Sequence, residues 1–181
     1  MDHELLENSG FEELYRNSIV QEQRNEQLFT DLKHAREDSG EGLAVISMIL
    51  NVPETDIRQL TTTDEGLHAY GLSMTMDFIQ KYAQAVNATI TYELGIVGGE
   101  TILSSRSMNS IIEAAERELE GTIINHAQHA KRMYLDVKDL EELLANADDM
   151  TVDLVGRYVN TACMTMTYRV RELDRWSPLQ V

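Results

Sequence analysis

Few side chains in this 181-residue chain are spaced to do chemistry. His126 and His129 stand three apart and could share one face of a helix. A metal site needs a third ligand, for which Glu118, Glu120 or Asp136 could be proposed, and the spacing selects none of them. The one cysteine, Cys163, has no identifiable base to activate its thiol and reads as a small, partly buried residue. Gly95, Gly98 and Gly99 lack the following Lys-Ser/Thr that completes a phosphate loop. These patterns point away from an enzyme, a metal centre or a bound cofactor. What remains is recognition chemistry. Arg58 and Gln59 are the side-chain types that make paired hydrogen bonds to guanine and adenine edges.

The elements that must position such residues are partly repeated. MTMDFIQKYAQAVNATITYEL (74–94) and MTVDLVGRYVNTACMTMTYRV (150–170) align without a gap, 76 positions apart. Met74/Met150, Thr75/Thr151, Asp77/Asp153, Tyr82/Tyr158, Thr89/Thr165, Thr91/Thr167 and Tyr92/Tyr168 are identical pairs. Glu65/Glu141, Leu67/Leu143 and Ala69/Ala145 extend the same register upstream. Each copy reads as a helix followed by a period-two strand, Ala88–Leu94 and Met164–Val170. A repeated unit suggests an internal pseudo-dimer, a shape suited to a two-fold symmetric partner. Pairing the two strands with each other, antiparallel, satisfies their backbone groups and gives a pseudo-symmetric monomer. Pairing each with a second subunit gives a homodimer.

Upstream, an apolar stripe of Phe11, Leu14, Tyr15, Ile19, Leu28, Leu32 and Ala35 predicts a helical stretch ended by Gly40 and Gly42. Leu43–Leu50 follows as a short helix with Ile46, Ile49 and Leu50 inward. Asn51-Val52-Pro53 makes a turn, and Thr55–Leu60 makes another helix. Ser107–Met133 reads as one long helix, with Met108, Ile112, Ala115, Leu119 and Ile123 along a near-heptad seam that packs on a core or pairs helices between subunits. Trp176, in the tail, caps the core or anchors a partner.

The segment LKHAREDSGEGLAVISMILNVPETDIRQL (32–60) resembles the XRE, or lambda-repressor-like, helix-turn-helix family. Ala35-Arg36 and Gly40 fit its first helix and exit. Ile46, Ser47 and Leu50 fit the second helix, Asn51-Val52 the turn, and Ile57 with Leu60 the recognition helix. With the trailing helix and strand, the resemblance covers about residues 25–94. It implies a transcriptional regulator of the phage or plasmid repressor or antitoxin type, in the cytoplasm. Duplex DNA would be contacted by Lys33, Arg36, Thr55, Arg58, Gln59 and Thr62. The sequence departs from the family at two positions usually held by glutamine, here Leu43 and Glu54. A carboxylate repels phosphate, and leucine donates no hydrogen bond.

Charge sharpens that departure. The chain carries a net −16 at pH 7 and an isoelectric point near 4.6. Its first hundred residues hold 6 Lys/Arg against 18 Asp/Glu. Such a chain repels nucleic acid unless its cations cluster. An acidic protein-interaction module that binds a toxin, host factor or basic regulator is therefore the alternative function. No stretch is long and apolar enough to predict a membrane span, and the acidic MDHELLENSGFEELY start does not read as a secretory signal.

The expected fold is mainly α: a lambda-repressor-like domain, a second helical half with a duplicated helix–strand unit, and a small two-stranded antiparallel sheet. The expected layout is a helical extension (1–30), a helix-turn-helix domain (31–95), a linker (96–106) and a second helical unit (107–181). In that second unit, residues 123–140 match no turn-and-recognition pattern, so it reads as a decayed or truncated copy.

Overall fold

A computed structural model describes residues 3–61, 71–96, 99–120 and 126–173, with side chains from Tyr15 onward except those of 59–61. Gln59, as a side chain, and Thr62, Glu65, Leu67, Ala69, Ile123 and Trp176 therefore lie outside the described residues. The order is α1 (His3–Ser39), α2 (Leu43–Leu50), α3 (Glu54–Thr61), α4 (Met76–Ala85), β1 (Ala88–Ile96), β2 (Thr101–Ser105), α5 (Met108–Glu120), α6 (His126–Met133), α7 (Val137–Ala145), a 3₁₀ turn (Ala147–Asp149), α8 (Val152–Thr161) and β3 (Met164–Glu172). The structure is mainly helical around a small antiparallel sheet.

The repeat at 76 positions folds into matching parts. Thr75 and Thr151 cap α4 and α8, each hydroxyl accepting a backbone N–H at 3.2 Å, from Phe78 and Leu154. Such caps satisfy donors that the first helical turn leaves unpaired. Asp77–Lys81 and Asp153–Arg157 make equivalent ion pairs, at 2.6 and 2.5 Å. Asn87 (φ 58°) and Cys163 (φ 57°) take the left-handed conformation that turns each helix into its strand.

A pseudo-two-fold axis relates the copies, and two contacts mark where it passes. In the sheet, β1 pairs antiparallel with β3 so that Tyr92 lies opposite Tyr168, its own repeat partner. The two rings meet edge to face, 6.2 Å between centroids. At the helix starts, Thr75 bridges Thr151, with Met76 N–H donating to Met150 O (2.9 Å) and Val152 N–H to Met74 O (3.0 Å). Ile90, Tyr92, Leu94, Met164, Met166 and Tyr168 are buried beneath the helices.

The two outer edges of this pair are covered differently. β2 pairs with β1, giving a three-stranded sheet of order β2-β1-β3 rather than the expected two strands. The expected linker 96–106 thus contains sheet. The edge of β3 is covered by α1, which runs unbroken past residue 30, where an extension was expected to end. Gln21 serves that edge: its Oε1 accepts the Met166 N–H at 2.8 Å, and its Nε2 donates to the Met166 carbonyl at 3.2 Å and to Asn25 Oδ1 at 2.9 Å. An open strand edge needs polar partners, so α1 turns Gln21 inward, held by Asn25, and Asn17 is buried on the same face. Tyr15 and Ile19, expected inside, are exposed on this account.

Close approach of α1 also explains Gly156. A Cβ there would stand 3.1 Å from Gln21 Cγ. In the other repeat the same position is Gln80, whose Nε2 donates to Tyr92 Oη at 2.8 Å. The buried Tyr168 hydroxyl has no such partner.

Of the stretch expected as one helix, 107–133, α5 and α6 are helical, and residues 121–125 between them lie outside the described residues. Met108, Ile112, Ala115 and Leu119 of its seam are buried within this chain, so the seam serves the core.

Candidate functional site

The described candidate contact residues stand on α3 and toward the end of α1, with α2 between them. α2, LAVISMIL, buries Ile46 and Leu50, while Ile49, expected inward, is exposed. The helix stops at Asn51, whose φ of 53° is tolerated by asparagine. The Val52 N–H then donates to Ser47 O at 3.2 Å, and Ser47 Oγ donates back to Val52 O at 2.6 Å. Pro53 supplies no N–H where a helix start needs none, and its carbonyl accepts from Ile57 N at 3.2 Å. Ile57 is fully buried and fixes the roll of α3. That roll leaves Glu54, Thr55, Asp56 and Arg58 exposed.

The same construction recurs where the sequence showed none. α6 and α7 match α2 and α3 at a register of 83, not 76. Tyr134, like Asn51, is left-handed (φ 59°). Leu135 N–H donates to Ala130 O at 2.9 Å, as Val52 does to Ser47. Leu140 N–H donates to Asp136 O at 3.0 Å, as Ile57 does to Pro53, and Leu140 is fully buried. The second half is therefore not truncated before its repeat. The shift in register means that the first unit holds seven more residues between its α3 and its capping threonine. Few residue types survive: Ala44/Ala127, Asp56/Asp139 and Leu60/Leu143 are identical, and small Ser47 becomes Ala130.

No protein-family model, curated protein or solved structure matches this chain. The site must be judged by its own residues.

The expected contact residues are only partly together. Thr55 and Arg58 share the exposed face of α3, where the Thr55 hydroxyl donates to Asp56 Oδ1 at 3.2 Å. Lys33 and Arg36 are half-buried on α1. Arg36 sits 3.7 Å from Glu37 and close enough to Tyr82 to oppose the upward push of burial on that phenol, which still reaches about 12. Arg36 thus faces the α1–α4 interior as much as solvent. Leu43 is half-buried and Glu54 exposed, at the two positions where the resemblance expects glutamine.

The second unit carries different chemistry on the same frame. α6 exposes Gln128, Lys131 and Arg132. α7 exposes Lys138, Asp139, Glu141 and Glu142 after an exposed Asp136, and Lys138 pairs with Glu142 at 3.2 Å. The two histidines do not share a face: His126 is exposed, 3.4 Å from Glu116, whereas His129 is buried. His129 stacks on Tyr158 with 4.6 Å between ring centres, and its Nε2 donates to the Tyr158 carbonyl at 3.1 Å, within reach of the Thr161 hydroxyl. A carbonyl only accepts, so Nε2 carries the proton in the neutral ring. Burial, helped by the charges of Arg132 and His126, lowers the His129 pKa against the raising effect of the Tyr158 bond. Its counterpart in the first unit is Ile46, and the counterpart of Thr161 is Ala85. Cys163, expected partly buried, is exposed.

Among the described residues no cluster of three metal-ligating side chains occurs, and no helix is long and apolar enough to cross a membrane.

Proposed function

We propose that this protein is a DNA-binding transcriptional regulator carrying two helix-turn-helix heads on one chain. The observation that supports this reading is the recurrence, at a register of 83, of the same left-handed turn between two helices, each unit followed by a helix–strand repeat that pairs with its copy across one pseudo-two-fold axis. The second helix of such a pair can enter a major groove, and two heads about an axis suit a pseudo-palindromic duplex. Thr55, Arg58, Gln59 and Thr62 read or abut bases from the first head, with Lys33 and Arg36 toward phosphate. Lys131, Arg132 and Lys138 serve the second head. With so few cations, affinity should depend on salt with a shallow slope, on the order of −3 to −5 in log–log terms.

The test is fluorescence anisotropy against duplexes selected from a random pool at low salt. Arg58→Ala should weaken binding to the selected site by about 1–3 kcal/mol, the worth of one bidentate base contact. Unchanged binding would exclude the readout by Arg58.

A second reading is favoured by one observation. The α7 face presents Asp136, Asp139, Glu141 and Glu142 against Lys138, which repels phosphate where a recognition helix should approach it. On this reading the heads are a scaffold for binding a basic protein. Absence of any selected duplex at low salt and high protein concentration decides for it.

A further inference from the structure

α2 is the outlier among the described helices, having no charged residue in LAVISMIL. Two of its side chains fill the core, but Val45, Met48 and Ile49 are 38%, 75% and 46% exposed. The fold does not require apolar residues at these places. Their counterparts on α6 are Gln128, Lys131 and Arg132, all exposed on an equivalent helix with an equivalent turn. Two copies of one frame thus differ in whether this face suits water. Clustered exposed apolar side chains of this kind mark contact surfaces.

Charge indicates what covers the face. A basic partner would gain most from the carboxylates that this chain carries in excess, with its net charge of −16. An uncharged face on so acidic a protein suits a partner that is itself acidic, because like-charge repulsion is least there. The chain's own second copy is such a partner. We propose that the outer face of α2 is a self-association surface, on which two copies pair α2 against α2 about a two-fold axis with Met48 at the centre. The surface does not depend on whether duplex DNA is the ligand.

Its size sets its strength. Three partly exposed side chains offer on the order of 300 Å² per copy, so the pairing buries on the order of 600 Å², below the roughly 1,200 Å² of a stable complex. The expected dissociation constant is on the order of 0.1–1 mM. Such a contact is slight between free chains and effective between chains held side by side, where the local concentration is millimolar.

Sedimentation equilibrium of the full chain, from about 20 µM to about 1 mM protein, spans that constant. Mass should rise with concentration, and more steeply in high salt, which screens repulsion between the acidic copies. The triple variant Val45→Gln, Met48→Lys, Ile49→Arg, which installs the second unit's own residues, should associate at least tenfold more weakly. Met48→Glu alone should do the same, and its high exposure keeps the core out of the comparison. A wild-type chain that stays monomeric throughout, or variants that associate as well as wild type, would overturn the proposal. So would a red shift of Trp176 emission in the variants with no change in mass, since that would assign the face to the chain's own carboxyl-terminal segment.

Discussion

The turn unit of the first half and that of the second share a backbone and little else. Both join a helix to a second helix through a left-handed residue, and both fix the second helix with a fully buried aliphatic side chain, Ile57 or Leu140. Outside, the chemistry is exchanged. The first unit has an apolar α2 and a mixed-charge α3. The second has a polar and basic α6 and an acidic α7. The lesson is that a handful of inward contacts specifies this geometry, so the outward faces diverge at little cost to the fold. Function in each half must be argued from its own surface.

The largest effect is expected at the outer edge of β3, which α1 covers where β2 covers that of β1. Gln21→Leu strands the buried Met166 N–H and carbonyl, and chemical denaturation should show a loss of about 3 kcal/mol from leaving two backbone groups unpaired. A loss below about 1 kcal/mol would mean that another group covers the edge of β3.

Next comes pH. His129 is neutral and buried in the second unit, where the first has Ile46. Its pKa is lowered on folding, so the unfolded chain binds more protons below the ordinary histidine value. Stability should therefore fall as pH drops below 6.5, down through the lowered folded value. His129→Ile should remove this component of the acid loss in melting curves taken between neutral and mildly acid pH. A variant as acid-sensitive as wild type would show that the two cores do not differ in this way.

The tyrosines on the axis should respond with opposite signs. Tyr168→Phe removes a buried hydroxyl with no hydrogen-bond partner among the described residues and should stabilise by about 1 kcal/mol, whereas Tyr92→Phe forfeits the Gln80 bond and should destabilise by about 1 kcal/mol. Equal signs would contradict the asymmetry assigned to Gly156 and Gln80.

The smallest effect is at the turns. Tyr134→Gly relieves a left-handed tyrosine that is 90% exposed and should stabilise by about 0.5 kcal/mol, with Asn51→Gly nearer zero because asparagine already tolerates that conformation. Equal shifts in melting temperature would mean that tyrosine is no more strained than asparagine in this conformation.

How much of this was legible follows residue by residue. The helix–strand repeat could be read because Thr75/Thr151, Tyr82/Tyr158 and Tyr92/Tyr168 keep both type and spacing. Period-two alternation placed β1 and β3 within two residues of their observed ends. The second turn unit could not be read at a spacing of 76, because its register is 83 and its left-handed residue is a tyrosine. The pairing Ile46-to-His129 reversed polarity in the core, and nothing in the sequence pairs His129 with Thr161. β2 was missed because TILSS is short, lies in an expected linker and has no repeat partner. The inward Gln21 and Asn25 follow from the edge of β3, a tertiary fact that no local pattern carries. Of the expected contact residues, the exposure of Thr55 and Arg58 was foreseeable from Ile57, whereas the half-burial of Arg36 beside Tyr82 was not.

The pairing of Tyr92 with Tyr168 and of Thr75 with Thr151 has an evolutionary consequence. In a homodimer each substitution is written twice, once on either side of the axis, and both sites must bear it. Here the two sides are encoded separately. A residue such as Gly156 could be accepted to admit α1 while its mirror position kept Gln80. One chain with two separately encoded sides can thus change either side alone, while Tyr92 with Tyr168 and Thr75 with Thr151 remain alike where the two halves touch.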